Sequence, residues 1–526
     1  MAKRSSFSTA CRQAGGRTLA LALIFAAVLG ALTVGGFEPF GVFWLPVITL
    51  AFLLGLWQRH PAPRTAAALG FAFGLGLFLC GASWVYVSLH EFGAMPAALA
   101  ALATLIFCVI LALFPAAAGW LAAHSRLSGT PYALLVAPAL WVLCEWMRGW
   151  FLTGFPWLSV GYSQVPYSPL AGFAPVFGIY GVSLAVALSA GAVVTLFEAG
   201  RWKAAHSGLF RTIASVILHP SFFILVILWI GGYVLQQLAW TTPAGAPLTV
   251  SLLQGNIPQS LKWKPQAVRS TLETYYRMVM ASGARLIILP ETALPMFYQE
   301  VPKNYLAALT THAQLNGGDL LFGVPEHTDG TVYYNSVVST GKSPSQTYRK
   351  HHLVPFGEFL PFKPLFGWVL DVLDIPLSDF SRGPSYQKPM AVAGQQVAVD
   401  ICYEDGFGDE IIRQLPQATL LVNVSNDAWF GHSIALDQHL QMSQARALET
   451  GRYMLRATNT GVTAVIDTKG RVVARAPEFT RAVVNDTVSG YRGATPFVQW
   501  GNPAAIILCL LLMVAAAWLG VLRQNR

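Results

Sequence analysis

Eight long apolar runs, near residues 18–35, 42–58, 66–89, 95–123, 132–148, 170–197, 219–240 and 502–522, constrain this chain more than any other feature. A helix needs about 20 mostly apolar residues to cross the hydrocarbon of a bilayer, where the backbone must satisfy itself. The runs therefore predict about eight membrane spans, of which the second is the shortest. Only 11% of the 526 residues are charged and 54% are hydrophobic, a balance foreign to an ordinary soluble domain. The first run follows Lys3, Arg4, Arg12 and Arg17, as in a signal peptide. The many later spans and the lack of a clear small-residue cleavage site favour its retention.

Short-loop cations set the orientation of such a chain. Arg59 and Arg64, then Arg126, then Arg201, Lys203 and Arg211, and finally Arg523 and Arg526 fall on the side of the N-terminal tail. Only Arg148, beside the fifth run, breaks the pattern. Both termini are thus expected in the cytoplasm of a bacterium, with the one long soluble stretch, 241–497, in the periplasm. The net charge of +9 reads as this topology signal plus attraction to anionic headgroups, and nucleic acid is not expected as a partner. Few charges lie mid-span and no pair of broken helices stands out, which disfavours a transporter.

The soluble stretch changes pattern. LTVSLLQ (248–254), RLIILPE (285–291), DLLFGV (319–324), QVAVDICYE (396–404), ATLLVNVSN (418–426) and GVTAVID (461–467) read as strands, and several are apolar throughout, as when both faces are covered. Residues 265–282, 302–316 and 437–450 have helical periodicity, and Lys469-Gly470 closes a hairpin into RVVARA. The class is α/β, with chemistry expected at strand ends. Pro- and Gly-rich pieces at 239–247 and 488–503 read as linkers to the flanking spans.

Of six cysteines, only Cys402 lies in this stretch; Cys11, Cys80, Cys108, Cys144 and Cys509 lie in the N-terminal tail or in apolar segments. An unpaired thiol escapes disulfide formation in an oxidising compartment. It follows an apolar strand, as does Glu291 in LPETALP, while Lys350 lies in YRKHHLVPFGEFLP with Glu358. A thiol reacts as thiolate, so it needs a base or a positive field; a carboxylate supplies the first and an ammonium the second. A lysine beside the developing oxyanion, helped by the Tyr403 N–H, would stabilise it.

At these residues a resemblance becomes specific. PE(S/T), a loop lysine and CYE, in that order, form the Glu-Lys-Cys arrangement of the nitrilase superfamily. Together with HLVPFGEFLP, SRGP (381–384) and NVSNDAWFG (423–431), the chain resembles the apolipoprotein N-acyltransferases of Gram-negative bacteria, densest from QGNIPQSLKW (254–263) to ATNTGVTAVID (457–467). The resemblance implies a nitrilase-like αββα sandwich at 241–497 between membrane domains at 1–240 and 498–526, in the bacterial inner membrane. It implies a ping-pong acyl transfer without cofactor or metal. A phospholipid, phosphatidylethanolamine by preference, acylates Cys402 as a thioester, and the α-amino group of a diacylglyceryl-cysteine apolipoprotein then takes the acyl chain, completing lipoprotein maturation. By matching position, Cys402 is the nucleophile, Glu291 the general base and Lys350 the oxyanion stabiliser. Glu358 and Glu404 support Lys350, and Trp263, Tyr403 and Trp429 lie near the site and its lid loops. The run DGFGDE after Glu404 departs from the acyltransferase pattern towards soluble nitrilases.

A membrane-tethered amidase or nitrilase-type hydrolase, using the same residues with water as acceptor, is the alternative. His351 and His352 invite a metal site, but they lack accompanying ligands at suitable spacing. Glu145 and Arg148 stand three residues apart, placed either to pair on one helix face or to meet a lipid headgroup. Glu38 and Glu91 sit in outer loops, and GWFLTGFPWLSVGY (149–162) resembles an interfacial belt or re-entrant piece.

Overall fold

The computed structural model describes residues 3–125, 127–204, 209–328, 332–360 and 379–524. Arg126, Arg526 and Pro361 of the HLVPFGEFLP motif lie outside them. Each apolar run folds as helix: α1 (Lys3–Thr33), α2 (Leu45–Arg59), α3 (Pro63–Gly81), α4 (Ala97–His124), α5 (Ala137–Arg148), α6 (Ala174–Ala204), α7 (Pro220–Gln237) and a C-terminal helix (Pro503–Gln524). Six of these are long and apolar enough to cross a membrane, fewer than the eight runs suggest. The helix α2 has 15 residues and stops before Pro61 and Pro63, and α5 has 12 after the π-turn Tyr132–Val136. Small residues let the helices close up. A Cβ on Gly30 would stand 1.9 Å from the Phe73 carbonyl oxygen, and one on Gly76 would stand 2.0 Å from that of Ala27, so α1 and α3 touch through backbone.

The 149–162 segment folds back against α5, and Arg148 and Glu145 are what hold it. Arg148 donates to the carbonyls of Phe155 (2.5 Å) and Trp157 (2.6 Å) and to Ser159 Oγ (3.1 Å). Glu145 Oε1 accepts from Trp141 Nε1 (3.0 Å) and Val160 N (2.9 Å). Both side chains are buried, and each makes hydrogen bonds to the folded-back segment, none of them to the other. Loop backbone at membrane depth needs such internal partners.

The soluble stretch forms two six-stranded sheets. The first has the order β12-β1-β2-β3-β4-β5, with β1 (Thr242–Gln254), β2 (Leu286–Ile288), β3 (Asp319–His327), β4 (Tyr333–Gly341), β5 (Thr347–Arg349) and β12 (Ala482–Arg492). The second has the order β11-β10-β9-β8-β7-β6, with β6 (Met390–Val392), β7 (Gln395–Ile401), β8 (Leu420–Ser425), β9 (Met454–Thr458), β10 (Ala464–Ile466) and β11 (Val472–Arg475). Alternation along each strand explains the continuous apolar runs. Leu286 and Ile288 face the inter-sheet core with Val399, Val422 and Val424. Ile287 and Leu289 face Tyr275, Val279 and Leu309 of α8 (Pro265–Met280) and α9 (Lys303–Leu315). Leu421 and Met454 pack on Leu436, Leu440 and Ala447 of α10 (Ala435–Thr450) on the other outer face. The result is the expected αββα sandwich.

The expected linkers are partly strand. Residues 242–244 pair with 490–492, and a bulge between Ala244 and Leu248 absorbs the Gly- and Pro-rich piece. Pro243 is tolerated there because β2 pairs only with residues 250–252, leaving the other edge of early β1 open.

Arg148→Met keeps the apolar stem and removes the donors of the staple. It is expected to cost on the order of 3 kcal/mol, read as a lowered unfolding temperature of the purified protein in detergent. An unchanged temperature would remove Arg148 from this role.

Candidate active site

Glu291, Lys350 and Cys402 stand just beyond three strand ends, two on one sheet and one on the other. Glu291 follows β2 by three residues, Lys350 follows β5 directly and Cys402 follows β7 directly. All three are buried, with relative exposures of 6%, 1% and 9%. Lys350 Nζ lies 2.8 Å from Glu358 Oε2 and 3.5 Å from Glu291 Oε1. Asn335 Nδ2 on β4 bridges the two carboxylates, at 2.7 Å from Glu291 Oε1 and 2.8 Å from Glu358 Oε1. The second Glu291 oxygen accepts from the Asn426 N–H at 2.9 Å.

Charge in this group follows from burial against pairing. Burial opposes the Lys350 ammonium, but Glu358 above all, then Glu291 and Cys402, hold it above the ordinary lysine value. Burial pushes the Cys402 thiol well above its usual range, the Glu291 carboxylate adds to this, and Lys350 opposes it. The sulfur therefore rests protonated and needs a base within reach.

The nucleophile candidate sits on a strained turn. Cys402 has φ +55°, the left-handed region that costs a non-glycine residue about 1–2 kcal/mol. Its carbonyl is held by His439 Nε2 at 3.1 Å and Asn423 Nδ2 at 3.3 Å. Under it lies a buried network in which Asp427 meets His439 Nδ1 at 2.9 Å and Arg456 at 2.8 Å, while Arg456 also meets Asp405 at 3.1 Å. That pairing fixes the turn by charge-assisted bonds.

Glu404 acts on Lys350 through the backbone. Its Oε1 accepts from the N–H groups of His351 (2.7 Å) and His352 (3.0 Å), and its Oε2 from the Ile401 N–H (2.8 Å). The Tyr348 hydroxyl donates to the same carboxylate, whose pKa burial pushes up to about 7 against these donors. The lysine loop and the cysteine turn are thus tied to one side chain.

The segment 149–162, which follows α5, packs against this group. Tyr403 Oη donates to the Gly154 carbonyl at 2.8 Å, and His352 Nε2 reaches the Thr153 carbonyl at 2.9 Å. Trp157 stacks on Tyr403 and its Nε1 donates to Gln438 Oε1 at 2.8 Å. His351 and His352 turn to different partners, the Gly383 carbonyl and Glu410, rather than to a common point. Trp263 and Trp429 are half-buried and lie outside the hydrogen-bonded group. Trp429 packs on Phe92, and its carbonyl accepts from Ser88; both partners lie in the π-helical turn Ser88–Phe92 after α3. Sequence reasoning missed Asn335, whose strand was not foreseen, and Lys262, which adjoins the noted Trp263.

An αββα sandwich that gathers a carboxylate, an ammonium and a thiol at its strand ends, seated on apolar helices, defines a membrane-bound member of the carbon-nitrogen hydrolase class. The carbon-nitrogen hydrolase family model matches residues 249–496, and the apolipoprotein N-acyltransferase N-terminal domain model matches residues 29–192. An apolipoprotein N-acyltransferase of Nitrosomonas europaea is 54% identical over 94% of this chain and 97% of its own length. One of Chromobacterium violaceum is 45% identical over 96% and 95%. The chain belongs to the apolipoprotein N-acyltransferase family and is an acyltransferase of lipoprotein maturation.

Glu404→Ala frees the His351 and His352 N–H groups and with them the loop carrying Lys350. A misplacement of about 1 Å costs roughly 100-fold in rate, and a loss of kcat of that order is expected in the purified variant. Wild-type turnover would disconnect Glu404 from Lys350.

Proposed function

We propose that this enzyme moves an acyl chain from a phospholipid, through a thioester on Cys402, to the N-terminal α-amino group of a diacylglyceryl-cysteine apolipoprotein. Glu291 takes the thiol proton as sulfur attacks the ester carbonyl. The oxyanion forms beside the Lys350 ammonium and the Tyr403 N–H, and Glu291 returns the proton to the departing lysophospholipid alcohol. In the second half the amine attacks the thioester, its proton passes to Glu291, and the sulfur leaves to regain it. An α-amino group, with a reference pKa of about 8, is far easier to neutralise than a lysine side chain.

The observation that carries this reading is the buried Lys350 held against Glu291 and Glu358 while Cys402 rests as a protonated thiol beside them. A thioester keeps an activated acyl group, and a closed site favours its transfer over hydrolysis. Seating on a membrane segment suits two lipid-anchored substrates, for which phosphatidylethanolamine is the proposed donor.

The proposed setting is the bacterial inner membrane, with the sandwich of 241–497 in the periplasm and both termini in the cytoplasm. Gln58, beside Arg59 at the far end of α2, donates to the Gly129 carbonyl, whereas the near end of α2 adjoins Phe43, which binds Gln164. The loops after α2 and α4 thus meet at one end of α2, opposite Phe43, which supports the positive-inside reading. Tyr386 is 57% exposed. In Tyr386→Cys the new thiol is expected to react with a membrane-impermeant maleimide in intact spheroplasts; labelling only after lysis would invert the orientation.

Incubation of the purified protein with phosphatidylethanolamine is expected to give an acyl adduct on the Cys402 peptide that hydroxylamine removes. Cys402→Ser should yield no thioester and no turnover, and Lys350→Ala should slow adduct formation on the order of 100-fold. Turnover by active protein with no adduct at any stage would reject the covalent route. Release of free fatty acid in preference to transfer would favour the hydrolase reading.

A further inference from the structure

A second lysine is buried at the site. Lys262, in the turn after β1, is 3% exposed, and its Nζ donates to the backbone carbonyl of Glu291 at 3.2 Å. Burying an ammonium costs several kcal/mol unless paired. Lys350 is compensated by two carboxylates, but Lys262 enters no ion pair among the described residues. Its turn is nonetheless fixed to the same machinery. Gln259 Oε1 accepts from Asn426 Nδ2 at 2.8 Å, and Asn426 is the residue whose N–H holds Glu291. The position suits a charge needed by its surroundings rather than a bond made for stability.

We infer that Lys262 is a positioning residue for acyl transfer, holding Glu291 by its carbonyl and supplying a second buried cation that acts on Glu291 and Cys402. The inference rests on the proposed roles of Glu291 and Cys402. Taken by themselves, Glu291 and Glu358 as carboxylates, Lys350 and Lys262 as ammoniums and Cys402 as thiol sum to zero formal charge; Glu404 and the network of Asp405, Arg456 and Asp427 are further ionisable groups outside this set. That sum stays zero when the thiol proton moves to Glu291. Without the Lys262 charge the same set carries one negative charge throughout, and a thiolate or an oxyanion forms there at greater cost. Lys262 then shares the charge of Glu291 with Lys350, whose ammonium is drawn less strongly to that carboxylate as the oxyanion forms.

The charge is also titratable. Burial lowers the Lys262 pKa, with Glu291 and Cys402 opposing, down to about 8. Lys262 is therefore charged below about pH 8 and neutral above it. The charged or ionisable groups that act on it are Glu291 and Cys402.

The test follows the first half-reaction, acylation of Cys402 by phosphatidylethanolamine, from pH 6 to 10 in the wild type, Lys262→Met and Lys262→Arg. In the wild type the acylation rate should fall as the pH rises through about 8. Lys262→Met should acylate on the order of 10-fold slower or worse at pH 7, without that fall. Lys262→Arg should recover much of the rate and carry the fall to higher pH, because a guanidinium does not titrate in this range; the amine of the donor is common to all three. A wild-type rate in Lys262→Met, or an unshifted fall in Lys262→Arg, would overturn the inference. Should Lys262→Met fail to fold, the Lys262→Arg profile decides alone. A wild type that turns over without any Cys402 adduct would instead sink the covalent reading itself.

Discussion

An ammonium buried between two carboxylates is the interaction on which the rest of the site depends. Lys350 loses its water and regains it only through Glu358 and Glu291, while Asn335 keeps the two acids from drifting apart. A charged group held this way cannot relax without exposing an unpaired ion, which makes the geometry stiff. That stiffness keeps the Glu291 carboxylate in place beside a thiol that rests protonated. Glu404 extends the constraint by fastening the lysine loop and the cysteine turn to one side chain.

The membrane helices take part in this arrangement as more than an anchor. Arg148 and Glu145 fold the 149–162 segment back, and the segment then offers the Thr153 and Gly154 carbonyls to His352 and Tyr403. Deeper in the bundle, Glu449 at the end of α10 accepts from the Ile179 N–H of α6 at 2.7 Å, where that helix is kinked at Gly178. Sandwich and bundle therefore share polar bonds that neither could satisfy alone. Such bonds, desolvated on both sides, oppose rigid-body separation more strongly than apolar contact does.

The sequence was legible where one force dominated. Apolar length announced the six helices long enough to span a membrane but overcounted by two, and the doubly covered strands β2, β3, β7 and β8 declared themselves by unbroken aliphatic runs. Glu291, Lys350 and Cys402 stood out because reactive groups followed such strands. Less legible were β9, whose buried face carries Arg456 and Thr458, and β12, where Asn485, Asp486 and Thr487 interrupt the pattern. Asn335 and Lys262 escaped for a related reason: each matters through a partner remote in sequence, and nothing local marks an asparagine as a bridge or a lysine as buried. For Glu145 and Arg148 the sequence left a helix-face pair and a headgroup contact both open, and the structure instead turns both groups to backbone of the next segment.

The site is also divided between the sheets, with the carboxylate and the ammonium on one and the sulfur on the other. Besides the bonds of Glu404 and Asn426, an aliphatic layer that includes Leu286, Ile288, Val399, Val422 and Val424 sets the distance across that seam. This layer works as a spacer as well as a source of stability, since trimming a methyl group far from any reacting atom would let the halves shear. Natural variation in those five positions should accordingly be narrower in volume than in the helix-facing layers, where a gap alters cohesion but not reach.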